Sequence, residues 1–167
     1  RQRQMCIRDR YGRYAYLYGG LYNIAKMQEF HHAHIAGFHF GTYEELWDAY
    51  CKELYHMDTY YRRLHMDFRK SLVSASGTLD DLFKGAVVTA ENLYKNWYLS
   101  ELNGSWNALI REPVADGFSL QGLPQQSDFY RRIVQPIASD SRVFVIVSDA
   151  LRYELSLIHI SEPTRRS

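Results

Sequence analysis

The stretch VFVIVSDALRYE (Val143–Glu154) says most about the fold. Val143 to Val147 is a short, wholly apolar and mostly β-branched run, which is how a strand buried on both faces of a parallel sheet reads. Ser148 and Asp149 follow, and Ala150-Leu151-Arg152-Tyr153-Glu154 reads as the beginning of a helix. Open α/β sheets place their sites where a strand ends and a helix begins. A carboxylate there is costly unless paired or metal-bound, and divalent cations accept such oxygen ligands. Asp149 is therefore the candidate metal ligand, with capping of the following helix as the alternative. The domain boundary is expected near Ser139–Arg142.

Upstream of that boundary the pattern is helical. Residues 11–30 place Tyr14, Leu17, Tyr18, Leu21, Ile24, Ala25 and Gln28 close to helical spacing. Gly19 and Gly20 interrupt the run at about 1 kcal/mol each, or mark a close helix approach. A loop or short strand is expected around Ala33–Phe40. Thr42-Tyr43-Glu44-Glu45 is a capping-box pattern that opens a long helix. Its stripe runs through Leu46, Trp47, Tyr50, Leu54, Met57, Tyr61, Leu64 and Phe68, with no Gly or Pro before Gly77.

Thr78, followed by Asp80 and Asp81, predicts a second helix start. That helix carries Leu82, Val87, Ala90, Leu93, Tyr94, Trp97, Tyr98 and Leu102, and Asn103-Gly104 is expected to end it. A further short turn is expected over Trp106–Ile110. Residues 112–126 read as a loop. Ser127 or Asp128 is the expected cap of a short helix that Pro136 must end or kink.

Composition narrows the function classes. Residues 1–10 carry a net charge of +3 and residues 155–167 a net of +1, which leaves −3 for residues 11–154 in a chain of total charge +1. The mild basicity belongs to the two ends and does not argue for nucleic-acid binding. The 14 Tyr and 3 Trp predict aromatic helix contacts with polar tips that need partners. No apolar run is long enough to span a bilayer and no signal-peptide core opens the chain, so the expected compartment is the cytoplasm. Cys6 and Cys51 form no metal or redox motif. Phosphate-cradling Gly-rich loops, G-x-S-x-G and H-E-x-x-H are absent from the sequence.

Three other groups invite a functional reading. His31, His32, His34 and His39 form an HHxH-type tract, but no Cys, Asp or Glu lies within it to complete a ligand set, so it reads as a solvated turn after a helix. Tyr60-Tyr61-Arg62-Arg63 and Phe129-Tyr130-Arg131-Arg132 pair aromatics with arginine, which suits phosphate or base stacking. The negative charge of residues 11–154 favours helix surface with Arg paired to acidic neighbours. Cys51, mid-helix and without a nearby base, reads as an inert core thiol.

The ends are expected to be non-native. LSLIHISEPTR (Leu155–Arg165) can be written with codons that contain CTGTCTCTTATACACATCT, and RQRQMCIRDR (Arg1–Arg10) with codons that contain its reverse complement, AGATGTGTATAAGAGACAG. Both resemble transposase-type sequencing adaptors translated in frame, so residues 1–10 and 155–167 are set aside from functional reasoning.

VFVIVSDALRYE resembles the start of the PglZ domain of the alkaline-phosphatase superfamily. FHFGTYEELWDAYCKELYHMDTYYRRLHMDF (Phe38–Phe68), ENLYKNWYLSELNGSW (Glu91–Trp106) and QQSDFYRRIVQP (Gln125–Pro136) are similar to the helical region that precedes it in type-A PglZ proteins of BREX bacteriophage-defence systems. The resemblance implies a mainly α fragment: a helical region over 11–140, then the first strand of a truncated α/β alkaline-phosphatase-like domain over 141–154. It implies that Asp149 is a metal ligand, that the parent uses divalent metal ions (zinc or manganese), and that other BREX proteins and DNA are its partners. The family's nucleophile and remaining ligands lie downstream, so no catalytic residue is assigned here. Two functions follow. The chain is a fragment of a metal-dependent phosphatase or phosphodiesterase, inactive alone because zinc typically needs three or four ligands. Alternatively, it is a helical module docking other defence proteins or DNA.

Overall fold

A computed structural model of the chain describes residues 2–72, 78–115, 117, 120–147 and 152–161. Five helices account for its regular structure. They are α1 (Gln2–Ala33), α2 (43–72), α3 (78–110), α4 (126–138) and α5 (Tyr153–Ser161). Three of them contain a widened π turn: Tyr50–Leu54 in α2, Leu93–Tyr98 in α3 and Tyr130–Val134 in α4.

The register of the bundle can be read from side-chain pairs. Gly19 faces Asp67 while His34 faces Glu53, so α1 and α2 run antiparallel. Phe68 meets Phe83, Tyr61 stacks on Tyr94 at 3.8 Å, and Trp47 meets Trp106, so α2 and α3 also run antiparallel. The core between them holds Met27, Phe30, Phe38, Leu46, Leu54, Met57, Leu64, Phe83, Val87, Ala90, Tyr94 and Tyr98. Each large side chain sealed there contributes about 1.5–3 kcal/mol of transfer free energy.

The π turns coincide with rows of residues packed on the core. Leu46, Tyr50 and Leu54 recur every four residues, as do Ala90, Tyr94, Tyr98 and Leu102. On an α-helix a four-residue row drifts by about 40° per step, which would carry the last member off the packed face. A wider turn cancels that drift and keeps the row on one side.

The capping expectation at Thr42 holds, with one change of partner. Thr42 Oγ1 accepts from the Glu45 N–H at 3.2 Å, but Glu45 Oε2 accepts from the N–H of Gly41 rather than that of Thr42. The loop expected around Ala33–Phe40 is present as a turn and coil, with Gly37 at φ 84°, where a side chain would be strained. Gly20 does mark a close approach: a Cβ there would run into the ring of Phe83.

Four expectations need correction. In α1 the buried face carries Gly20, Asn23, Met27 and Phe30, while Tyr14, Tyr18, Leu21, Ala25 and Gln28 face out. The bare backbone at Gly20, which has no side chain to register in a hydrophobic count, is what selects that face. Asn103-Gly104 does not end α3, which continues to Ile110. Leu102, Trp106 and Leu109 pack against the core, and Ser105 Oγ donates to the Phe38 carbonyl, so tertiary contacts override the local stop signal. Neither Ser127 nor Asp128 caps α4; the helix starts at Gln126 after Gln125 without a side-chain cap. Finally, 143–147 is irregular and joins no ladder, and no strand is present among the described residues. A strand needs a neighbour's N–H and C=O groups, and the helical part offers none.

Pro136 behaves as its chemistry requires. It lies at the start of the last α-helical turn of α4, directly after the π turn, and the helix ends at Ala138. The wider turn relieves the clash of the ring with the carbonyl four residues back.

Candidate functional site

The most concentrated polar chemistry sits where the π turns of α2 and α3 meet. Asp58, one turn beyond Tyr50–Leu54, is 7% exposed. Its carboxylate accepts from Tyr50 Oη at 2.9 Å, from Tyr94 Oη, and from Tyr98 Oη at 3.2 Å. The Tyr98 hydroxyl also lies 3.0 Å from the Leu54 carbonyl oxygen, so its single proton is shared between two acceptors. A carboxylate offers about four lone-pair directions, which is why one Asp can serve three buried phenols. The four-residue row on α3 aims Tyr94 and Tyr98 at the same point, and the wide turn of α2 swings Tyr50 towards it.

Burial, reinforced by the neighbouring Asp58, pushes the phenols of Tyr50, Tyr94 and Tyr98 well above the ordinary tyrosine range. Such groups stay protonated donors. Because their folded values exceed the unfolded value, they stabilise the fold below about pH 10, and that contribution is lost as pH rises beyond it. The knot thus commits its protons to holding α2 against α3.

Next to the knot lies a second, less satisfied group. Glu154 of α5 is 3% exposed, and its Oε1 has no hydrogen-bond partner. Arg62 Nε is 3.8 Å away and Arg152 Nη1 is 3.9 Å away, distances that allow charge pairing but exceed hydrogen-bond range. Arg62 Nε and Nη2 are likewise buried without a hydrogen-bond partner. His65 Nε2 is 3.4 Å from Glu91 Oε1 but off the hydrogen-bonding direction. Burial lowers the His65 imidazole below its ordinary value, against the opposing pull of Glu91. Tyr153 closes the group: its hydroxyl donates to the Cys51 carbonyl at 3.1 Å, and its ring lies 5.8 Å from Tyr50 and 5.6 Å from Tyr55.

Asp149, the candidate metal ligand, lies outside the described residues. Among the described residues no three His, Cys, Asp or Glu side chains converge so as to hold a metal ion. The residues at hand therefore do not form a metal centre, and no chemical step is assigned to one. The histidine tract is dispersed: His31 packs edge-on against Trp97, while His34 stacks on Phe30 and shares a hydrogen bond with the Phe30 carbonyl at 2.9 Å. Of the aromatic-arginine pairs, Arg62 turns inward to Glu154, and Arg132 Nε lies 3.4 Å from Asp128. Cys51 is a free, partly buried thiol whose carbonyl, not its sulfur, makes the notable contact.

Sequence reasoning missed Asp58. The signal was available: Tyr50, Leu54, Asp58 and Arg62 fall on one four-residue row, so a carboxylate stands within the packed stripe. Paired with two tyrosines four residues apart on the next helix, it marks a buried polar knot.

The chain is similar to alkaline phosphatase-like proteins of the PglZ/BrxZ kind. Over 147 residues, 86% of the chain, it is 35% identical to the alkaline phosphatase-like protein BrxZ of Escherichia coli O9:H4 (strain HS). Over 113 residues, 67% of the chain, it is 34% identical to the alkaline phosphatase-like protein PglZ of Bacillus cereus (strain H3081.97). The chain spans 16% of the length of the first and 12% of the second. No family model matches the chain. No solved structure matches it either. Among the described residues, no helix is long and apolar enough to cross a membrane.

Proposed function

We propose that the chain is a stretch of a longer metal-dependent phosphatase or phosphodiesterase of a bacteriophage-defence (BREX) system. On this reading residues 11–140 are its helical region, 141–154 open the catalytic domain, and residues 1–10 and 155–167 are adaptor-derived. Asp149 supplies one ligand to a divalent metal, zinc or manganese, whose other ligands and whose nucleophile come from further along the longer protein. Other proteins of the same defence system are its partners. The observation that carries the reading is the similarity to two alkaline phosphatase-like proteins across 86% and 67% of the chain. The run of apolar residues ending at Asp149 supports it, since a strand followed by a carboxylate is where such a fold seats a metal.

The test uses the longer protein with Asp149→Ala. Bound zinc and manganese are measured by elemental mass spectrometry, and turnover is followed on a phosphomonoester and a phosphodiester. Loss of about one metal equivalent together with a fall in turnover of about a hundredfold or more is expected. Unchanged metal content and turnover would sink the proposal.

A further inference from the structure

We infer that Arg62, with Tyr50 and Tyr55 holding the neighbouring Tyr153, is a docking seat for Arg152–Glu154 and so a positioning residue for the segment that follows Asp149. The inference rests on the reading of Asp149 proposed above, and its test is placed on the backbone so that the two can fail separately. Among the described residues, the contacts that hold α5 on α2 centre on Tyr153 and Glu154. Tyr153 lies against Tyr50 and Tyr55 and donates to the Cys51 carbonyl within the π turn. Glu154 is sealed, its side chain 1% exposed, and Arg62 from the middle of α2 is one of two cations near its Oε1. The other, Arg152, is more than half exposed and also reaches the bundle at Tyr94, beside Asp58, so Arg62 and Arg152 hold the segment from two sides.

A buried carboxylate on one element facing a guanidinium on another is tolerated only while both are present; removing either leaves a charge without compensation. The seat also adjoins the Asp58 knot, because Tyr50 touches both: its hydroxyl donates to Asp58 and its ring faces Tyr153. The rigid junction of α2 and α3 is thereby connected to the start of α5. Asp149 lies five residues before Glu154, so the chain keeps its Cα within about 18 Å of the seat. What the seat contributes is an anchor on the bundle for Arg152–Glu154, the described residues that follow Asp149 in sequence.

The experiment is amide hydrogen exchange on the full 167-residue chain, read at Leu155 and Ser156, which belong to the stretch set aside above and serve only as reporters of whether Arg152–Glu154 stays docked. Their N–H groups donate to the Arg152 carbonyl at 3.0 and 3.1 Å and close the first turn of α5. Arg62→Met keeps the stem and removes the charge; it is expected to speed exchange at both amides about tenfold while residues 83–98 keep their protection. Arg62→Lys is expected to retain most of the protection, and Arg62→Met combined with Glu154→Met to recover it to within about threefold, since an apolar pair replaces a buried ion pair well. Unchanged exchange in Arg62→Met would overturn the inference. So would a double variant as unprotected as the single one. If the longer protein bound no metal through Asp149 while these exchange results held, the seat would stand and the reading of Asp149 would fall.

Discussion

The α1–α3 bundle and the stretch from Gln126 to Val147 are both rich in apolar side chains, yet only the bundle buries them. In the bundle, Phe38, Leu46, Met57 and Tyr98 are 2% exposed or less. In the later stretch Phe129, Ile133 and Ile137 are about half exposed, and Phe144, Ile146 and Val147 are more than 80% exposed; Val134 is the exception. Isolated apolar residues at a surface mean little, but a contiguous set marks a face meant for contact. The bundle closes a core of its own, although Tyr18, Tyr22, Ile35 and Val88 on its surface are more than half exposed. The later stretch has the composition of a buried strand and a covering helix without the sheet that would cover them. On the function proposed above, that sheet belongs to the rest of the longer protein.

The contrast can be sharpened on the bundle side by removing Asp58. Asp58→Ala leaves the Tyr50 and Tyr94 phenols without their acceptor, at about 1–3 kcal/mol for each donor left unsatisfied, while Tyr98 keeps the Leu54 carbonyl. A loss of about 3 kcal/mol or more in urea unfolding is expected; a loss below 1 kcal/mol would show that the knot adds little to the bundle. A smaller effect is expected from Thr42→Ala, which removes the acceptor for the Glu45 N–H at the start of α2. A loss of about 1 kcal/mol is expected in the same measurement, within the range of such caps. No change there would mean that water replaces Thr42 Oγ1 at the Glu45 N–H without loss.

Much of the bundle was legible in the sequence because its signals are local. Thr42 to Glu45 announces a helix start, and the stripe from Leu46 to Phe68 repeats often enough to define a face. Pro136 predicts the end of α4. What was not legible depends on partners distant in sequence. The buried face of α1 is chosen by Gly20 meeting Phe83, and α3 passes through Asn103-Gly104 because Trp106 finds Trp47. The π turns show in the four-residue spacing of Tyr94 and Tyr98 only once Asp58 is seen opposite them. Of the candidate site, Asp149 was named from its place after an apolar run, but Arg62 facing Glu154 spans 92 positions and has no local signature. Those two residues meet only because α5 folds back on α2.

On the function proposed above, the bundle holds its own core while Val143–Val147 has the composition of a strand whose sheet lies in the longer protein. Amide hydrogen exchange of residues 143–147, compared between the 167-residue chain and the longer protein, tests it directly. The account predicts exchange near the unprotected rate in the chain and protection by about a thousandfold or more in the longer protein, with residues 83–98 protected in both. Protection of 143–147 already present in the chain, or absent from the longer protein, would contradict it.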